Sequence, residues 1–120
     1  MKPVYIINGF LESGKTEFIT YTLSQPYFQI RGKTLLIVCE EGEVEYEEVL
    51  LRKSRTVMEV IDEEENFTPE NLIELEKKYK PERIVIEYNG MWNCKNMKLP
   101  WHWSVEQQIT TINGATFQNY

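Results

Sequence analysis

Apolar residues in this chain come in short, unbroken, β-rich runs separated by longer polar segments. Val4, Tyr5, Ile6 and Ile7 form the first run, which stops at Asn8-Gly9. A run without polar alternation predicts a strand buried on both faces, as in a parallel sheet. Residues 34–39 (Thr, Leu, Leu, Ile, Val, Cys) predict a second such strand, entered through Arg31-Gly32-Lys33 and left at Glu40-Glu41-Gly42-Glu43. Residues 83–87 (Arg, Ile, Val, Ile, Glu) predict another, broken by Asn89-Gly90. Residues 56–61 give a weaker strand ending in the acidic run 62–65, and residues 108–112 a last one before Asn113-Gly114. Between Glu87 and Gln108 the chain reads as irregular and holds Trp92, Trp101 and Trp103.

Between these runs the period changes. From Lys15 to about Ser24, Phe18, Ile19 and Leu23 make a helical stripe, which Gln25-Pro26 ends because the residue before proline is pushed out of the helical region. Residues 44–51 predict a short helix. Residues 69–79 predict a longer one, with Leu72, Ile73, Leu75 and Tyr79 on one face. Thr68 is its N-cap candidate, and Pro69 takes the first helical position, where the missing N–H has no intrahelical partner to lose. Strands alternating with helices imply a three-layer, Rossmann-like α/β domain with a parallel sheet and right-handed crossovers. Ligands of such sheets sit at the carboxyl ends of the strands. The loops at 9–16, 40–43 and 87–90 each follow a buried strand directly and are expected along that one edge.

Composition narrows the function. The 120 residues carry 19 acidic and 13 basic side chains, a net charge of -6. Binding to a phosphate backbone needs clustered Lys and Arg, whereas here the basic residues are scattered, so nucleic-acid binding by bulk charge is excluded. Residues 40–65 hold 11 of the 19 acids, and Asp62 is the single aspartate. No run approaches the ~20 apolar residues of a membrane span, and no signal-peptide pattern follows Met1, so no membrane partner and a cytoplasmic setting are expected. Cys39 and Cys94 are too few and too far apart for a disulfide framework or a zinc ribbon and read as ordinary thiols. His102 has no second His at ligand spacing and reads as a packed or surface side chain. The three tryptophans read as cover for the sheet or for a contact.

Gly9-Phe10-Leu11-Glu12-Ser13-Gly14-Lys15-Thr16 fits G-x-x-x-x-G-K-[ST] between a buried strand and an amphipathic helix. Gly9 and Gly14 let the backbone curl so that N–H groups around Ser13 face a β-phosphate, and the helix N-terminus adds its partial positive charge. Lys15 would reach the β and γ oxygens, and the Thr16 hydroxyl would ligate magnesium. Glu12 and Glu17 put carboxylates beside this site; they face solvent or magnesium, or they weaken phosphate binding. A phosphate loop also needs an acidic residue at the end of a buried strand. Asp62 does not end a strongly apolar strand, whereas Glu87 does. The acidic loop Glu40-Glu41-Gly42-Glu43 is either a solvated surface or a site for a hard cation.

Taken together, these segments resemble the CobW-like GTPases, relatives of the nickel-insertion GTPases of hydrogenase and urease maturation. The run from Ile6 to Thr16 is similar to that family's strand and GFLGSGKT loop, Glu40-Glu41-Gly42-Glu43-Val44 to its N-E-F-G-E-V segment, and Ile84-Val85-Ile86-Glu87-Tyr88-Asn89-Gly90 to its I-V-I-E-T-x-G segment. Residues 110–117 look like the strand that runs into D-A-x-x-F. The resemblance implies the N-terminal part of a phosphate-loop NTPase domain over residues 1–120, truncated relative to the family. It also implies GTP with magnesium, slow hydrolysis, and delivery of a metal such as zinc or cobalt to a metalloprotein client. Carried over, Gly9 to Thr16 hold the nucleotide, Glu40 and Glu43 the switch and metal region, and Glu87 the magnesium side, with Lys15 and Glu87 as the catalytic pair. Two motifs are absent: residues 51–80 contain no Cys where the family has C-x-C-C, and no N-K-x-D is possible because Asp62 follows Glu59-Val60-Ile61. A degenerate, non-hydrolysing nucleotide- or metal-sensing module and an ATP-using enzyme are the alternatives. A missing C-terminal strand would leave a sheet edge through which two chains pair.

Overall fold

The computed structural model describes residues 2–8, 15–26, 32–39, 48–89, 92, 97–112 and 116–119, with backbone alone for 15–18, 110–112 and 116–119. Its elements run β1 (Lys2–Asn8), α1 (Lys15–Leu23), β2 (Thr34–Val38), α2 (Glu48–Lys53), β3 (Thr56–Val60), a 3-10 turn (Glu64–Asn66), α3 (Pro69–Tyr79), β4 (Arg83–Glu87), β5 (Trp103–Ile112) and β6 (Thr116–Asn119). The sheet order is β3-β2-β4-β1-β5-β6. The first five strands in that order are parallel, as the unbroken apolar runs predict, and β6 is antiparallel to β5.

β2 and β4 are buried along their whole length, which is why their sequences lack polar alternation. Their side chains divide between two cores. Leu35, Ile37, Ile84, Ile86, Val4 and Ile6 meet Leu72, Leu75 and Tyr79 of α3, together with Phe67 and Trp103. Leu36, Val38, Val85 and Ile7 meet Ile19 and Leu23 of α1 and Leu50 and Leu51 of α2. The molecule therefore has three layers, with α1 and α2 on one face of the sheet and α3 on the other. Crossover handedness explains the division: β1→β2→β3 steps outward one way and β3→β4 steps back, so right-handed connections must use opposite faces.

The helix at 69–79 has the bounds its sequence predicts. Thr68 is its N-cap, accepting a hydrogen bond from the Asn71 N–H at 3.2 Å, with Pro69 first in the helix. Lys80 closes it in the left-handed conformation (φ 51). Gly32, which leads into β2, has φ +74, and a Cβ there would collide with the Glu82 side chain. The last long strand starts at Trp103, five residues before the expected Gln108. Its first half carries Ser104, Glu106 and Gln107, so no apolar run announces it; the ladder to β1 holds it in place, with a register shift between Val4 and Tyr5. Of the short helix expected at 44–51, residues 48–53 are helical and 44–47 lie outside the described residues.

The starts of β1 and β5 are tied to α3 through one carboxylate. Glu76 Oε1 accepts hydrogen bonds from Trp103 Nε1 at 2.9 Å and from His102 Nε2 at 2.6 Å, and Oε2 lies 3.9 Å from Lys2 Nζ. Burial pushes this carboxyl up, but the two hydrogen bonds and the nearby His102 and Lys2 charges outweigh burial and hold it below the usual glutamate value. His102 is thus a packed side chain, as its isolation in the sequence suggests.

Two outcomes follow from these ties. Replacing Thr68 with Ala should lower the unfolding free energy by about 1 kcal/mol, and Thr68→Ser should recover most of it; a urea melt in which Ala and Ser are equal would contradict the cap. Because the Glu76 pKa is depressed by folding, its contribution is present above the unfolded value of about 4.3 and is lost as pH falls through the folded one. The urea midpoint should therefore drop more steeply in acid for the wild-type chain than for Glu76→Gln, and parallel profiles would contradict the role of this carboxylate.

Candidate functional site

β4 lies between β1 and β2, so the carboxyl ends of these three strands are neighbours. Glu87 pairs in register with Ile7 on one side and Val38 on the other. Two backbone hydrogen bonds past the register lock this edge: Cys39 N–H to Glu87 O and Tyr88 N–H to Ile7 O, each 2.8 Å. From this edge the chain leaves in two directions. After β1 it enters α1 on one face, and after β4 it passes Trp92, Met97 and Leu99, which pack on the face covered by α3. Such a divergence between adjacent parallel strands is the crevice where open α/β sheets place ligands.

Glu87 is 1% exposed. Side chains alternate along a strand, and Val85 belongs to the α1 core, so Glu87 lies on the face where α1 begins at Lys15. Asn8 and Asn89, each 8% exposed, are the other buried polar side chains at this edge, and none of the three is without a partner. On the opposite face, Tyr88 is held edge-on by Phe67 (centroids 5.3 Å) and Trp92 (5.5 Å). The Trp92 N–H also bonds to Asn89 O at 3.1 Å. The backbone that follows Glu87 is thereby anchored from the far side of the sheet, which fixes where the carboxylate starts.

Glu87 is the one site residue expected from sequence whose side chain the structure describes. Gly9, Glu12, Ser13, Gly14, Glu40 and Glu43 lie outside the described residues, and Lys15 and Thr16 are described as the backbone of the first turn of α1. Both ends of the phosphate-loop segment are nevertheless placed, since β1 ends at Asn8 and α1 starts at Lys15. Asp62 is exposed, consistent with Glu87 rather than Asp62 as the buried acid. Asn8, Asn89 and the Phe67–Tyr88–Trp92 group had no motif to announce them; the one available signal was a polar residue at the end of each apolar run. The tryptophans divide: Trp103 is core, Trp92 covers the sheet, and Trp101 is 86% exposed, with its ring against that of His102.

Among the described residues, no group of three or more His, Cys, Asp or Glu is placed to hold a metal ion. No described helix is long and apolar enough to cross a membrane. Neither the curated proteins nor the solved structures give a significant match to the chain. Residues 3–117 match the family described as CobW/HypB/UreG, nucleotide-binding domain. With that match, a sheet of five parallel strands and one antiparallel strand, and a buried glutamate ending the strand beside the one that leads toward α1, the chain belongs to the CobW/HypB/UreG family as a nucleotide-binding domain.

Proposed function

We propose that this domain binds GTP together with magnesium and hydrolyses it, in the service of metal delivery or metallocofactor assembly in the cytoplasm. The reading rests most on one observation: Glu87, 1% exposed, ends the strand hydrogen-bonded between β1 and β2, and β1 runs directly into G-x-x-x-x-G-K-[ST]. In the proposed complex, N–H groups of residues 9–14 and the first turn of α1 bind the β-phosphate, and Lys15 orients the γ-phosphate. A carboxylate and a hydroxyl are hard oxygen donors of the kind magnesium prefers, so Thr16 and Glu87 would hold the ion. When bound, it neutralises charge on the β and γ oxygens. Glu87 also orients the attacking water, and burial at the sheet edge keeps bulk solvent from competing for the carboxylate. Glu40 and Glu43, after β2, belong to the segment that responds to the γ-phosphate. The client is a metalloprotein, and the family resemblance carries the choice of guanine over adenine.

Calorimetry should register GTP binding that requires magnesium, with ATP competing poorly. Lys15→Ala should weaken it roughly ten- to a hundredfold, the loss of a charge-assisted hydrogen bond; no heat with either nucleotide would sink the proposal. Glu87→Gln should keep the fold and reduce phosphate release by about 10²-fold or more, as expected for a group that positions a water. Unchanged turnover in that variant would place the water-orienting group elsewhere.

A further inference from the structure

The end of the sheet opposite Glu87 carries a feature that nucleotide chemistry does not use. A cavity of about 460 Å³ there is lined by Lys2, Ile73, Glu76, Lys77, Lys80 and His102. Three lysines and a histidine against one carboxylate reverse the sign of a chain whose net charge is -6. That carboxylate is engaged, since Glu76 Oε1 already accepts from His102 and Trp103 and Oε2 faces Lys2. Lys77 and Lys80 are exposed at the end of α3 and have no acidic partner among the described residues. Beside the cavity stands Trp101, 86% exposed, its ring 5.3 Å from the ring of His102 and inclined at 65°.

These features select the ligand. A compact phosphate is opposed twice: Glu76 sits within the cavity, and α3 ends here, where its carbonyls carry partial negative charge. Carboxylates spaced along an extended chain avoid both, because they can meet the outward lysines one at a time. An aromatic or apolar side chain between them would cover the indole of Trp101 and reach Ile73, the arrangement in which buried aromatics dominate interface energy and charges set partner choice. We propose that this face docks an acidic, aromatic-bearing segment of a partner protein. The surface lies at the amino ends of the strands, so docking there leaves the Glu87 edge open.

The test is calorimetric titration of the full chain with an acetylated, amidated peptide Glu-Phe-Glu-Glu-Phe-Glu, and with its counterpart in which lysine replaces each glutamate. The acidic peptide should bind and the basic one should not. Trp101→Ala and the double substitution Lys77→Glu, Lys80→Glu should each weaken binding at least tenfold, about 1.4 kcal/mol. All three positions are exposed, so the GTP titration should stay where it was, and the melting temperature of the double lysine variant should fall only by the few degrees that glutamates at a helix C-terminus cost. Absence of acidic-peptide binding at millimolar concentration, equal binding of the two peptides, or indifference to both substitutions would overturn the proposal. So would a dimer, seen by sedimentation, that the double lysine substitution disperses while the peptide fails to bind; the occupant would then be the acidic run of a second copy.

Discussion

The insertion of β4 between β1 and β2 is the constraint on which the remainder of this structure depends. Parallel strands cannot be joined by a tight turn, so each crosses over through a helix or a long connection, and the handedness of those crossovers is nearly invariant. Once β3 has been laid outside β2, the chain must return on the opposite face to fill the gap beside β1. That return places α3 across the sheet from α1 and α2, and it brings Glu87 to a position flanked by Ile7 and Val38. A glutamate at the end of a fully buried strand has to be satisfied by polar groups or ions. Glu87 is not without such a partner, and beside it β1 and β4 send the chain to opposite faces.

The two ends of the sheet are specialised differently by the same topology. At the carboxyl ends, polar side chains (Asn8, Glu87, Asn89) are buried. At the amino ends, Glu76 gathers Trp103, His102 and Lys2, so that the starts of β1 and β5 and the last turns of α3 are tied together. The first arrangement buries polar groups at the edge where the chain passes from β1 toward α1; the second spends its carboxylate on internal contacts and leaves cations and an indole outward. A strand of five residues spans roughly 17 Å, far enough that the two ends can serve different partners.

Much of this was legible in the sequence, for identifiable reasons. β1, β2 and β4 sit inside the sheet with cores on both faces, so Val4–Ile7, Leu35–Val38 and Ile84–Ile86 had to be apolar without interruption. The cap of α3 was readable because Thr68 and Pro69 act locally on the backbone. That Glu87, and not Asp62, is the buried strand-end acid was readable because Glu87 ends an apolar run. Hidden features depend on distant partners. The first half of β5 has Val105 at 46% exposure and polar neighbours, and its strand state comes from the ladder to β1. Trp103 and His102 reach Glu76 across 27 and 26 residues, a pairing that no periodicity encodes.

The proposed complex has nucleotide and metal at the Asn8–Glu87 edge, on the α1 face, away from Glu76. Paramagnetic broadening of amide NMR signals by Mn²⁺ with GTP, manganese standing in for magnesium, measures that location directly. The signals of Asn8, Lys15, Glu87 and Asn89 should be lost, with those of Lys2, Glu76 and the Trp101 indole retained. Retention of the Glu87 signal, or broadening centred on Glu76 and Trp101, would contradict it.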